Sequence, residues 1–240
     1  MSNNQPRLIL TSAMLSLALA VWLAVAWINR SEPAPLIQGV LLPDAKPVDV
    51  FQLTDHQGHT FSNADLLGAW HLLSYGFTTC PDICPTTLFT LDALVQQLTD
   101  AGHEPPRVLF YTVDHRRDSA AVLADYVPWF NPQFLGLTHG DHPDNPHLPF
   151  EHSLGIVAQI SLSPAALKDP TATDYQVSHG VNLILLNPDG KLQAVFKPGL
   201  DEHGNPVFDA RQLSRDYLAV RQHTQTPTLV AAALSNSSFR

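Results

Sequence analysis

Hydrophobic positions change their rhythm along this chain, and each rhythm predicts a different element. Leu8 to Ile28 carries no charge over 21 residues. At about 1.5 Å per residue it would make roughly 31 Å of helix, close to the hydrocarbon thickness of a bilayer. Trp22 and Trp27 fall in its C-terminal third, where interfacial aromatics are expected. The run predicts an uncleaved N-terminal transmembrane helix over 1–30. The other reading is a signal peptide cut at "AVA" (24–26), but the apolar run is long for one.

Beyond a proline-rich linker, 31–46, the rhythm shortens. "VDVFQLTD", a turn at "HQGH", and "TFSNADLLGAW" predict a strand, a turn and a second strand. "HLLSYGF" (His71–Phe77) and "RVLFYTVD" (Arg107–Asp114) are the short apolar runs of buried strands. Between them Leu88, Leu91, Leu94, Val95 and Leu98 recur at helical spacing, which predicts a helix starting at about Pro85. "DSAAVLADYVPWF" predicts a helix stopped by Pro128, and "FLGLTH" a further strand. Tyr175–Gly199 predicts a hairpin turning at "NPDG", and Val207–His223 a closing amphipathic helix. Strands alternating with helices predict an α/β domain over 47–222, with a central mixed sheet and helices on both faces. Residues 223–240 form a C-terminal tail.

Composition narrows the function. The 240 residues, 45% of them hydrophobic, suit one good-sized core. A net charge of −9 with only 13 Lys and Arg leaves no basic stripe for nucleic acid. Arg7 and the terminal amine outweigh Arg30, which has Glu32 beside it. The N-terminus is therefore expected in the cytoplasm and the domain on the periplasmic or outer side of the inner membrane, in a single-pass arrangement. No cysteine lies near the segment to carry a lipid.

The chemistry centres on "YGFTTCPDICPTTL" (Tyr75–Leu88), which holds both cysteines, Cys80 and Cys84, each followed by proline. A disulfide here would close a very short loop and add little stability. A redox-active dithiol and half of a metal site remain open. The residue before a proline is steered out of the α region, so both cysteines are expected in the extended or turn-like loop before the helix. The helix N-terminus would favour their thiolate forms. Asp114 and Asp118, in "VDHRRD", are expected to cap the following helix, with Arg116 or Arg117 as ion-pair partners. The densest histidine stretch, "THGDHPDNPHLPFEH" (Thr138–His152), reads more simply as a polar loop than as a metal-collecting one. His56, His59, His115 and His203 are expected in solvent.

"YGFTTCPDICPTTL", "TVDHRRDSAAVLADYV", "FLGLT" and "YQVSHGVNLILLNPDGKL" occur in the order found in the Sco/SenC family, which the chain resembles from about residue 47 to 222. The resemblance implies a thioredoxin-like fold and a membrane-tethered copper chaperone that helps assemble cytochrome c oxidase. It implies copper, as Cu(I) or Cu(II), held by Cys80, Cys84 and His179. The partner would be the oxidase's copper-bearing subunit or another copper chaperone. The alternative is a thiol–disulfide oxidoreductase, using Cys80 and Cys84 to keep a partner's copper-ligand cysteines reduced. Two positions depart from the family pattern. Thr79 stands where the family has His before the first cysteine, and Ser178 where it has Asp before the histidine. A carboxylate that would orient His179 is thus absent from its usual place.

Overall fold

The structure, a computed structural model, describes residues 14, 16–23, 33–139, 147–162 and 174–225. The chain forms two compact units, Leu36–Val220 and a second comprising Met1–Pro35 with Arg221–Arg240. In the second unit residues 16–23 are helical. Most of the expected membrane segment, Leu8–Ile28, lies outside the described residues. Among the described residues no helix is long and apolar enough to cross a membrane.

The larger unit is built on an eight-stranded mixed sheet. Its strands are β1 (Gly39–Lys46), β2 (Gln52–Asp55), β3 (Thr60–Ser62), β4 (His71–Gly76), β5 (Arg107–Thr112), β6 (Leu135–Thr138), β9 (Leu183–Leu186) and β10 (Leu192–Phe196). Between β6 and β9 in sequence, β7 (Ala158–Leu162) and β8 (Tyr175–His179) pair separately as an antiparallel ribbon. The spatial order is β1-β10-β9-β4-β5-β6-β2-β3, with β4, β5 and β6 parallel. Gly199–Leu200 and Pro206–Val207 make a further two-stranded pair, β11 and β12. The helices are α1 (Ile83–Asp100), α2 (Ala120–Phe130), α3 (Leu148–Leu154) and α4 (Ala210–Gln225).

The central strands are buried on both faces, which is why they read as continuous apolar runs rather than alternating ones. Leu72 and Phe110 point into one core with Leu88 and Leu91 of α1, Leu123 of α2, and Leu213 and Tyr217 of α4. Their neighbours Leu73, Leu109 and Tyr111 face the opposite core, closed by Phe51, Phe150 and Leu154. The expected mixed sheet with helices on both faces is what the chain forms.

Several boundaries differ from expectation. The linker contains β1, which pairs with β10 as an edge strand, where Pro43 costs no central ladder bond. The expected single hairpin is two structures: "NPDG" joins β9 to β10, while β8 leaves the sheet to pair with β7. Pro128 does not stop α2, which continues to Phe130 because Val127 and Phe130 bury in the last turn. The closing helix begins at Ala210, where Asp209 accepts from Gln212 N at 2.8 Å, and Val207 belongs to β12.

Candidate metal centre

The two cysteines occupy different settings. Cys80 sits in the loop that leaves β4, its N–H donating to Phe77 O at 3.2 Å. Cys84 lies inside the first turn of α1, which begins at Ile83, so the expectation of an extended Cys84 before a helix at Pro85 fails. Pro85 is tolerated within the first turn because the first four N–H groups of a helix have no intrahelical partner to lose. The first bond of the turn runs from Thr86 N to Asp82 O, at 3.2 Å. Both cysteines are free and buried.

Two carboxylates place the flanking elements. Asp118 is fully buried and accepts from Thr78 N at 2.8 Å, Thr78 Oγ1 at 2.5 Å and Thr112 Oγ1 at 2.6 Å. It therefore clamps the cysteine loop instead of capping α2, a role taken by Ser119, whose side chain accepts from Val122 N. Asp114, also fully buried, pairs with Arg117 and accepts from the Tyr175 hydroxyl at the start of β8. The Arg117 guanidinium lies 4.2 Å from the Tyr175 ring centre. This network anchors the strand whose far end carries His179.

His179 arrives beside the cysteines across 95 residues of sequence, its Nε2 3.7 Å from Cys84 Sγ. The two sulfurs and a ring nitrogen of His179 all lie within 4.8 Å of one another. The rings of Tyr75 and Phe77 approach the imidazole edge-on, at centroid distances of 5.9 and 5.6 Å. Nδ1 contacts the Gly180 carbonyl at 2.6 Å. A carbonyl only accepts, so Nδ1 donates there and Nε2 is the ring nitrogen that faces the sulfur. The backbone thereby supplies the orienting acceptor that Ser178 does not.

Two glycines permit this closeness. A Cβ on Gly76 would lie 2.5 Å from Cys84 Sγ, and one on Gly180 would lie 2.6 Å from the Tyr75 hydroxyl. The cavity lined by Ser74, Tyr75, Cys84, Thr87, His179 and Asn182 measures about 10 Å³, room for one water-sized particle. It is far below the several hundred Å³ of an organic-ligand pocket. Hydrogen bonding from the Cys84 thiol lowers the Cys80 pKa to about 4, against the opposing effect of burial, with His179 assisting. The same hydrogen bond, followed by burial, pushes Cys84 up.

The SCO1/SenC family description matches residues 42–205 of this sequence. The chain belongs to the SCO1/SenC family. A Stutzerimonas stutzeri protein whose name assigns it copper binding is 34% identical over 195 residues, covering 81% of this chain and 91% of that protein. The bovine mitochondrial SCO2 homolog is 42% identical over 146 residues, covering 58% of this chain but only half (50%) of its relative. Among solved structures, Arabidopsis thaliana ScoI with copper bound is 25% identical with a TM-score of 0.59, covering 72% of this chain and 97% of that one. Yeast Sco1 with copper bound is 26% identical with a TM-score of 0.57, covering 76% and 90%.

Within this SCO1/SenC fold the three residues singled out from sequence, Cys80, Cys84 and His179, come together. Thr79 and Ser178, the two departures from the family pattern, are both exposed. Nothing in the sequence marks Gly76 or Tyr175, and Asp114 and Asp118 are not the helix caps expected of them. Arg117 was correctly offered as an ion-pair partner. Of the scattered histidines, His59 and His203 are exposed as expected, whereas His56 Nδ1 accepts from Gly136 N at 2.9 Å.

Proposed function

We propose that this protein binds copper through Cys80, Cys84 and His179 and delivers it to the copper-bearing subunit of a membrane-bound cytochrome c oxidase, or to another copper chaperone. One observation carries the reading: two sulfurs and an imidazole nitrogen converge within 4.8 Å of one another. Two thiolate sulfurs and one imidazole are soft donors that suit Cu(I). Three ligands leave a coordination position through which an incoming partner ligand can take the ion. With Nδ1 engaged by the Gly180 carbonyl, Nε2 is the ring nitrogen left to bind the ion. Leu8–Ile28 would tether the domain to the inner membrane, facing the periplasmic or outer side.

A second reading is favoured by the depressed Cys80 pKa of about 4. As a thiol–disulfide oxidoreductase, the Cys80 thiolate would attack a partner disulfide, forming a mixed disulfide and releasing one partner thiolate. Cys84 sulfur would then displace the second partner sulfur, closing the Cys80–Cys84 disulfide. The Cys84 proton and one from solvent would leave the partner as a dithiol, reduced by two electrons.

The test is a Cu(I) competition titration on the reduced chain, residues 1–240, in detergent, beside His179→Ala and Cys80→Ser/Cys84→Ser. Copper delivery requires one tightly held ion, lost from the double variant and weakened by orders of magnitude in His179→Ala. Weak binding indifferent to His179 would leave the dithiol reading in its place.

A further inference from the structure

Residues 140–146 of the histidine-rich stretch lie outside the described residues, but the histidines that flank them are not solvated as its composition suggests. His139, directly after β6, is 5% exposed, and His147, directly before α3, is 9% exposed. Glu151 is one helical turn beyond His147, its N–H donating to His147 O at 3.1 Å, so the two side chains share a face. Ligand atoms of His139, His147 and Glu151 all lie within 4.8 Å of one another. From these observations we propose a second cation site, formed by His139, His147 and Glu151, that takes one divalent ion with a preference for imidazole, Cu(II) above the others.

Packing alone does not account for this cluster. The His139 and His147 rings stack in parallel, with centroids 3.5 Å apart and planes at 13°. His115 covers the other face of His139 at 4.3 Å. His139 Nε2 contacts the Tyr111 hydroxyl and lies 3.3 Å from Glu151 Oε1, but its Nδ1 is buried without a partner. An orphaned buried nitrogen costs about 1–3 kcal/mol, a penalty that a ligand would remove and an apolar side chain would never have incurred. Tyr111, which donates to Glu151, holds that carboxylate against the histidines from behind.

The donor set chooses the ion. Two imidazoles and a carboxylate suit Cu(II), Zn(II) or Ni(II), and the usual affinity order places Cu(II) first. This contrasts with the sulfur-rich Cys80–Cys84–His179 group, whose softness favours Cu(I). The parallel stack is the ion-free packing. Binding requires the His147 ring to turn about χ2, a broad two-fold torsion, so that both ring planes can meet the ion. The cluster sits at the carboxyl ends of β5 and β6, and the cysteine loop at the carboxyl end of the adjacent parallel strand β4. That edge of a parallel sheet is where α/β folds gather their ligands. The site stands on its own donors and does not depend on the copper-delivery reading.

Cys80→Ser/Cys84→Ser removes the sulfur site and isolates the second one. Titrated with Cu(II), and separately with Zn(II), this chain should bind one equivalent, with nitrogen hyperfine structure in the Cu(II) electron paramagnetic resonance spectrum. Adding His147→Gln or Glu151→Gln should weaken binding by about a hundredfold or more, since even a residue that merely orients a ligand is worth about ten- to a hundredfold. His152→Gln, exposed on the same helix, should leave it unchanged. Saturating Cu(II) should raise the melting temperature of the parent but not of the Glu151→Gln chain, and apo melts of each variant check folding. Binding that ignores both His147→Gln and Glu151→Gln, or the lack of a stoichiometric equivalent in the parent, overturns the proposal. If His147→Gln does not fold, Glu151→Gln decides alone.

Discussion

The main chain and the hydroxyl of Thr78 both donate to the carboxylate of Asp118, at 2.8 and 2.5 Å, across 40 residues of sequence. Thr112 adds a third donor at 2.6 Å. The cysteine loop therefore hangs from a buried anion at the start of α2 as well as from its own strand and helix. Asp118→Asn keeps the volume but sets an amide group against hydroxyl and N–H donors. Bonds to charged groups contribute about 1.5–3 kcal/mol each, so a loss of about 2–3 kcal/mol is expected in urea unfolding. Amide exchange at Thr78 to Cys80 should accelerate as well. Unchanged stability and unchanged exchange would deny Asp118 its role as a clamp.

Gly76→Ala tests how tightly the site is drawn in. The new Cβ would fall 2.5 Å from Cys84 Sγ and 3.5 Å from the His179 ring. Sulfur must retreat from the other donors, because Gly76 is held in register with Thr112 of β5. Overpacking of this kind costs about 1–3 kcal/mol. Cu(I) affinity should fall at least tenfold while the protein remains folded by circular dichroism. Affinity equal to the parent's would mean that Cys84 does not need its present position.

Much of this arrangement was legible before the structure. β4 and β5 were visible because burial on both faces gives uninterrupted apolar runs, and α1 because Leu88, Leu91, Leu94 and Leu98 keep helical spacing on a single core. The cysteine pair marked the site, although its spacing left a redox dithiol and half of a metal site both open. His179 did not: it came from family resemblance, since no local pattern links residues 95 apart. Asp118 was misread for the same reason, because an acidic residue just before a helix looks like a cap and its true partners include Thr78, 40 residues upstream. β7 escaped because none of its five residues is buried and it pairs only with β8, outside the main sheet. β1 was hidden by Pro43, which only an edge strand accepts.

Cys80 should alkylate as a thiolate. Its pKa is lowered to about 4 chiefly by the Cys84 hydrogen bond, while Cys84 is pushed up. An ordinary thiol reacts about tenfold faster per pH unit below its pKa of about 8.5. The iodoacetamide rate at Cys80 in the reduced, copper-free chain should instead stay nearly flat from about pH 5 to 8, with one adduct located on Cys80 by peptide mass. In Cys84→Ser the flat profile should move toward that of an ordinary thiol, because the principal donor changes. A rate that climbs tenfold per unit in the parent would remove the depressed thiol, and with it the support for the oxidoreductase reading.

His71 links the core to pH. It opens β4 at 1% exposure, and its Nδ1 is buried with no partner. Burial lowers its pKa from 6.5 to about 4, with Arg107, its β5 register partner, adding to the shift. Since the folded value lies below the unfolded one, the unfolded chain binds more protons between about pH 6.5 and 4. Stability is therefore full above about 6.5 and falls as pH drops toward 4, by up to about 3 kcal/mol at 1.36 kcal/mol per unit. His115 and His147 are lowered too and slope the same way, so His71→Gln should flatten the acid limb without abolishing it. Urea midpoints of the two chains at pH 7.5 and 4.5 make the comparison. The gap between those midpoints should be smaller in His71→Gln than in the parent, and equal gaps would mean that His71 takes up its proton as easily folded as unfolded.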